Sequence, residues 1–272
     1  MELRVLRRQR QICFSIKMAL DYDKLVFNVV DSTQALSARR INNFKRPTWI
    51  FAYKQTDGRG RRGRPWIGCV GNFSATLTLF PKEDFQDQAL RTFVASLALY
   101  EACVALVGSE VVFSLKWPND VLLNGGKLAG ILLETLKTKA GQPALLIGFG
   151  VNLLNTPSRE RIEDRAIIPA SIFSETGIKY EPEALLDKLM ITYANLENQF
   201  VNEGFDPIRE AWLSRASHLG QEITARLPNE DVLGIFDTID EKGHLVLQTV
   251  EGKKVIAAAD VYLEVPNHVA CD

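Results

Sequence analysis

The chain has little cysteine and little histidine. Its 272 residues include four cysteines and three histidines. Cys13, Cys69, Cys103 and Cys271 form no Cys-x-x-Cys pair, and His218, His244 and His268 are widely spaced. Zinc-site and disulfide-framework patterns are therefore missing. Unpaired thiols fit a reducing, cytoplasmic compartment. No apolar run approaches the ~20 residues of a membrane span, so no membrane is expected. Internal repeats and low-complexity segments are lacking. There is no Gly-x-Ser-x-Gly elbow, and Asn124-Gly125-Gly126-Lys127 lacks the spacing of a nucleotide-binding P-loop. Nothing indicates a protein nucleophile.

What is present is ordinary globular composition, with 46% hydrophobic and 24% charged residues. That excludes a coiled coil, a collagen and a disordered tail. The length suits one large domain or two unequal ones. The net charge of −1 conceals two basic clusters. Residues 1–17 and residues 54–66 each carry five Arg/Lys against one acid, a surplus of +4 apiece. Such concentrations attract phosphate or other anions.

Residues 1–23 read as a poorly structured leader. Their apolar stretch is short and interrupted by Lys17, a poor secretory signal. Arg-rich, acid-poor segments also resemble organelle transit peptides. Met18 offers an alternative start, so a chain begun there should fold and act normally.

Strands are predicted at Lys24–Val30, Thr48–Tyr53, Phe73–Phe80, Val111–Lys116, Asp120–Leu123, Lys127–Glu134 and Ala144–Leu153. Phe73–Phe80 alternates apolar and polar residues, as a half-buried strand does. Asn124-Gly125 between apolar runs predicts a tight hairpin, because both turn residues need positive φ. Ser32 or Thr33 is the expected N-cap of a helix over ALSARRINNF. Helical spacing recurs over Gln88–Val107, with Leu90, Phe93, Val94, Leu97 and Val104 on one face, and over Glu183–Phe200 after Pro182. Beyond Trp212, five short strands in about fifty residues suggest a small barrel. The expected boundary lies near Ser214–His218. The fold class is thus α+β, with a catalytic-type unit over 24–215 and a small β-barrel over 216–272.

Four features carry chemistry. The strongest is Gly58-Arg59-Gly60-Arg61-Arg62-Gly63-Arg64-Pro65-Trp66. Its glycines would let backbone N–H groups approach an oxyanion, and its four arginines are fork-shaped donors for phosphate or carboxylate. It formally matches the dinucleotide fingerprint GxGxxG, but no helix opens at its last glycine. The second is Lys116-Trp117-Pro118-Asn119-Asp120, followed by Lys127-Leu128-Ala129-Gly130-Ile131-Leu132. An amide followed by a carboxylate suits a purine edge and a Mg²⁺ ion. The hairpin returns Lys127 toward them, where its charge could bridge a carboxylate and a phosphate. Gly130 permits close ligand approach in a strand. The third is Gly148-Phe149-Gly150-Val151-Asn152, whose glycines alone would signal a bulge. The fourth, Asp31-Ser32-Thr33-Gln34, is alone a helix cap.

Together, in this order, the four features resemble the biotin protein ligases over about residues 24–215, and more weakly beyond. The resemblance implies a mixed-sheet, class II synthetase-like catalytic domain, then a small SH3-like barrel. It implies that biotin's carboxylate attacks the α-phosphate of ATP, giving biotinyl-5′-AMP, and that a lysine of a biotin carboxyl carrier protein then attacks this anhydride. Carried across, Ser32, Thr33, Gln55, Arg59 and Gly60 would hold biotin, with Gly130 and Leu132 lining its apolar slot. Arg61 and Arg64 would hold phosphate or the biotin carboxylate, in a loop that orders over the adenylate. Trp66 would stack near the adenine, and Asn119 and Asn152 would serve the adenosine end. Lys127 would stabilise the reacting carboxylate and α-phosphate, and Asp120 would hold Mg²⁺. Lys127, Arg61 and Arg64 are the implied catalytic groups. The sequence departs from the family pattern at Gln34, usually Asn, which is left out of the site, and at Asp57, usually a small residue.

Some family members carry an N-terminal helix-turn-helix repressor module. About 23 residues precede the first strand here, and residues 217–272 hold four Arg/Lys against ten Asp/Glu. Neither suits DNA, which favours a basic footprint. A ligase without repressor function is expected, as a monomer or a homodimer formed through the sheet. A lipoate or octanoate ligase of the same fold is the alternative, disfavoured by the arginine loop and KWPND. A phosphate-binding nucleic-acid module is disfavoured by the acidic remainder.

Overall fold

A computed structural model describes residues 21–83, 85–157 and 167–263. Most of the expected leader, with Cys13, His268 and Cys271, lies outside them. The first unit is a seven-stranded sheet. Its strands are β1 (Asp23–Val30), β2 (Thr48–Gln55), β3 (Phe73–Leu79), β4 (Phe113–Lys116), β5 (Asp120–Leu123), β6 (Gly126–Lys137) and β7 (Pro143–Val151), in the spatial order β1-β2-β3-β7-β6-β5-β4. β1 and β2 pair in parallel, and the other neighbours are antiparallel. The Asn124-Gly125 hairpin forms as its chemistry requires, with φ of 48° and 82°.

One face of the sheet packs against α2 (Phe85–Val107) and α4 (Pro182–Glu203). Trp49, Phe51, Phe73 and Phe149 from the strands meet Phe93, Leu97, Leu186 and Tyr193 from the helices. The other face carries α1 (Thr33–Arg40), followed by a 3-10 turn that seats Ile41 on Ala144 and Leu146. Every residue of β3 is therefore buried, rather than alternate ones. The expectation of a half-buried strand fails because β3 lies mid-sheet with both faces covered. Two short helices, α3 (Ile172–Thr176) and α5 (Asp206–Leu213), were not indicated by periodicity.

Helix α2 also corrects the reading of apolar runs. Asp87–Val107 is long and apolar enough, by length and composition, to cross a membrane. It is the core helix here: Leu90, Phe93, Val94 and Leu97 are buried, and Trp212 of α5 donates to Ser96 Oγ at 3.0 Å. Cys103 on this helix is fully buried, which pushes its thiol up to about 12.

The second unit is a five-stranded antiparallel sheet of β8 (Glu222–Arg226), β9 (Asp231–Ile239), β10 (Leu245–Thr249), β11 (Gly252–Ile256) and β12 (Asp260–Leu263). The order is β11-β10-β9-β8-β12, and the two outer strands share no ladder, so the sheet stays open at that seam. The linker 215–217 pairs along the free edge of β4: Leu115 N–H donates to Arg215 O, and Ser217 N–H to Leu115 O. Trp117 Nε1 donates to Gly243 O at 3.0 Å, and Gly243 is packed so closely on Phe93 that a Cβ would lie 2.5 Å from the ring. These contacts hold the second unit at the β4 edge.

Beneath the sheet, Arg91 is 2% exposed and lies between α2 and α4. Its Nε donates to both oxygens of Glu197, Nη2 reaches Glu83, and Tyr193 OH donates to Glu197. Burial works against the Arg91 charge, but Glu197 outweighs it and raises the guanidinium pKa. Removing one partner of a buried pair costs more than the pair contributes. Glu197→Gln should lower stability by about 3–5 kcal/mol in urea unfolding. An unchanged midpoint would show that Glu83 and Tyr193 suffice.

Candidate active site

A cavity of about 480 Å³ opens across the sheet on the α1 side of its strands, within the range of small-molecule sites. All fourteen residues expected in the site line it: Ser32, Thr33, Gln55, Arg59, Gly60, Arg61, Arg64, Trp66, Asn119, Asp120, Lys127, Gly130, Leu132 and Asn152. Gln34, Thr76, Lys116, Gly148 and Asp260 line it too.

One end is polar and uncharged. Ser32 caps α1, its Oγ accepting from Ala35 N–H. The Thr33 N–H and hydroxyl both donate to Gln55 Oε1, at 2.8 and 3.0 Å, and Gln55 Nε2 donates to Ser74 Oγ. Thr76 Oγ1 lies 2.9 Å from Thr33 Oγ1 and 3.1 Å from Gln34 Oε1. A hydroxyl has one proton, and that of Thr33 is already used. Thr76 can therefore serve only one of the two oxygens, and the other stays short of a donor. This end suits a ligand bearing N–H groups. Gln34 belongs to the wall despite its exclusion above: its Nε2 donates to Leu146 O, and its Oε1 lies where a Cβ on Gly148 would come within 2.7 Å.

The middle of the cavity is bare sheet. Gly130 of β6 and Gly150 of β7 face each other in register, and the Trp66 indole lies over both. A Cβ on Gly150 would sit 2.3 Å from the ring. The β7 glycines mark no bulge, since both ladders of β7 run unbroken through them. They make room for Trp66 and Gln34.

The opposite end is charged. Gly58–Trp66 folds back on itself, with Trp66 N–H donating to Gly58 O and Gly60 N–H to Arg64 O at 2.7 Å. Gly58 is needed because a Cβ would meet Trp66 O at 2.4 Å. The Gly60 N–H is thus engaged within the loop. Around the loop tip, the Arg61 guanidinium donates to Asn119 Oδ1 at 3.1 Å, while Asn119 Nδ2 donates to Ile131 O at 2.5 Å. Asn119 therefore aims Arg61. Burial holds the Arg61 pKa below its ordinary value, with Asp120 and Asp260 opposing. Lys127 Nζ meets Asp120 Oδ1 at 2.8 Å. Asn152 donates to Lys127 O at 3.4 Å and is nearly fully buried, so it too braces the wall. From the second unit, Asp260 Oδ2 accepts from Arg62 at 2.5 Å and Arg64 at 2.9 Å.

Residues 26–152 match the Biotin/lipoate A/B protein ligase family, and residues 218–263 match the Biotin protein ligase C terminal domain. A biotin–[acetyl-CoA-carboxylase] ligase of Paracoccus denitrificans is 44% identical over 232 residues, covering 85% of this chain and 97% of the relative. The chain belongs to the biotin protein ligase family. The bifunctional ligase/repressor BirA of Bacillus subtilis is 30% identical over 94% of this chain and 78% of its own length. Among solved structures, a biotin protein ligase from Aquifex aeolicus in complex with biotin and ATP superposes with a TM-score of 0.76. It is 29% identical and is covered to 97%, over 88% of this chain.

Within this member of the family, the residues missed from sequence had little local signal. Thr76 is one polar position of an alternating strand, Lys116 opens a motif whose amide and carboxylate carry the stronger signal, and Asp260 lies far along the chain in the second unit. Asp260 has a direct consequence. It accepts from both Arg62 and Arg64 and so ties the loop to the second unit. Asp260→Asn should free the loop, so that trypsin cuts within Arg59–Arg64 several-fold faster in limited proteolysis. Equal cutting rates would mean that the backbone alone orders the loop.

Proposed function

We propose that the cavity joins biotin to ATP and passes the biotinyl group to a lysine of a biotin carboxyl carrier domain. The carrying observation is the continuity of three chemically distinct zones: a polar acceptor end, a glycine-bare floor and a cationic end. Biotin has a ureido ring with two N–H donors, an apolar chain and a carboxylate, in that order. It matches the zones in sequence. Lipoate has no such donors, so the acceptor left short at Thr33 and Gln34 favours biotin.

Ser32, Thr33 and Gln55 would hold the ureido end, Gly130 and Leu132 would line the chain, and Arg59 and Gly60 would reach biotin from the arginine loop. Trp66 would present its indole to the adenine, in the space that Gly130 and Gly150 leave open. Arg61 and Arg64 would take phosphate or carboxylate oxygens. The carboxylate–phosphate encounter brings two anions together, so catalysis rests on cations that are already in place. Lys127 would stand between them, held at its station by Asp120. Asp120 is also the carboxylate that fits Mg²⁺ as a single ligand, and Mg²⁺ would supply charge to the triphosphate. Among the described residues no group of three metal-ligating side chains occurs, which suits an ion carried on the nucleotide rather than in a protein cage. The arginine loop would also keep water from the anhydride.

The carrier follows from the relatives' names: the Paracoccus enzyme is named for acetyl-CoA carboxylase. A reading without DNA binding is supported by the acidic second unit, and a homodimer through the sheet is compatible with β1 being an edge strand among the described residues.

Incubation with biotin, Mg-ATP and a carrier domain should add one biotinyl group by intact mass, and lipoate should add none. Transfer of lipoate instead would overturn the reading. A gel shift with promoter DNA should show no specific complex. Lys127→Ala should slow single-turnover adenylation by about 100-fold or more while biotin affinity changes far less, because the charge matters most as the anions converge. Unchanged adenylation would remove Lys127 from this role.

A further inference from the structure

We infer that Lys116 is a catalytic residue that binds the departing pyrophosphate. The inference rests on the adenylating function proposed above and concerns a residue given no role there. Two of the cavity's cations are committed to standing anions, Lys127 to Asp120 and Arg64 to Asp260, and Arg62 of the same loop shares Asp260. Arg61 is aimed by Asn119. The Lys116 side chain, half-buried in the wall, has no hydrogen bond or ion pair among the described residues. Such a charge is costly without a partner, and the cavity is where one can enter.

Its place in the sheet says which part of the ligand it meets. The neutral polar end lies at α1, β2 and β3. Gly148 and Gly150 lie on β7, and Lys127 and Gly130 on β6. Lys116 closes β4, the far edge strand, and is fixed from both sides. Leu115 pairs with the linker at Ala216, and the Trp117 indole is anchored on Gly243. A ligand with its ureido ring at the first end and its carboxylate near Lys127 directs its leaving group toward β4. Around Lys116 stand Asp120, Lys127, Asp260, Arg61 and His218. Burial pushes its ammonium pKa down, the two carboxylates oppose that, and the neighbouring cations add to it. A polyanion restores the charge.

In the step concerned, a biotin carboxylate oxygen forms a bond to the α-phosphorus. The bond from that phosphorus to the oxygen bridging to the β-phosphate breaks, and pyrophosphate leaves with the electron pair. No proton is transferred to or from Lys116. Its ammonium stabilises the negative charge that grows on the leaving oxygens. The second half-reaction involves no pyrophosphate, so Lys116 should not be needed there.

The test uses the full chain carrying Lys116→Met, which keeps length and removes charge. Single-turnover formation of biotinyl-5′-AMP from biotin and Mg-ATP should fall by about 100-fold, and inhibition by added pyrophosphate should weaken at least tenfold. Transfer to the carrier from chemically prepared biotinyl-5′-AMP should stay within twofold. Lys116→Arg should recover much of the adenylation rate. Equal loss in both half-reactions, or adenylation within threefold of the unsubstituted chain, would overturn the inference. If Lys116→Met does not fold by circular dichroism, Lys116→Gln is read by the same criteria. Failure of the unsubstituted chain to make biotinyl-5′-AMP would instead overturn the proposed function.

Discussion

The structure depends on assembling like charges around one cavity before their ligand is present. Two cations about 6 Å apart repel by on the order of 3 kcal/mol at the effective dielectric near a protein surface. Several such pairs would weaken a loop that has few apolar contacts of its own. Asp120 and Asp260 answer this. Each is a carboxylate placed in the wall, and each comes from a different part of the chain. Asp120 begins β5 and reaches Lys127 across the Asn124-Gly125 hairpin. Asp260 begins β12 in the second unit and takes two arginines on one oxygen. The hairpin and the second unit thereby become parts of the phosphate end, and the linker pairing on β4 and the Trp117 hydrogen bond to Gly243 keep the second unit within reach.

The rest of the cavity is shaped by absence of side-chain volume. A β-sheet normally presents side chains on both faces, and a flat ligand cannot lie on such a surface. Gly130, Gly148 and Gly150 remove that volume from two neighbouring strands. The Trp66 indole lies over Gly130 and Gly150, and the Gln34 carbonyl lies over Gly148. The same tryptophan closes the arginine loop through its backbone bond to Gly58. Floor and loop are thus mechanically joined at one residue. A ligand that displaces the indole must also shift the loop bearing Arg59, Arg61 and Arg64.

Much of the fold was legible because its signals are local. The Asn-Gly turn, the Ser32 cap and the helix after Pro182 each depend on nearby residues, and each formed. The site residues were legible because they cluster in short motifs whose order carried the family resemblance. What escaped depends on distant partners. β3 looked half-buried because alternation cannot report that α1 covers its second face. α2 carries an apolar run of membrane length because it is the central helix, and only its packing distinguishes the two. The glycines of β7 read as a bulge, since the ring that needs their space lies more than eighty residues earlier in the chain. Asp260 gives no local sign that its partners are Arg62 and Arg64.

The position of Gln34 shows how a departure from a motif can be absorbed. Gln is one methylene longer than Asn, and in a packed wall that length must go somewhere. Here its carbonyl oxygen extends into the space over the Gly148 Cα, and its amide finds Leu146 O. The longer side chain therefore needs glycine at 148, where any Cβ would collide with it. In exchange, its oxygen joins Thr33 and Thr76 in the group that has one acceptor more than it has protons. The substitution thus keeps the hydrogen-bonding character of the polar end, while the added length is taken up by the sheet rather than by the ligand's space.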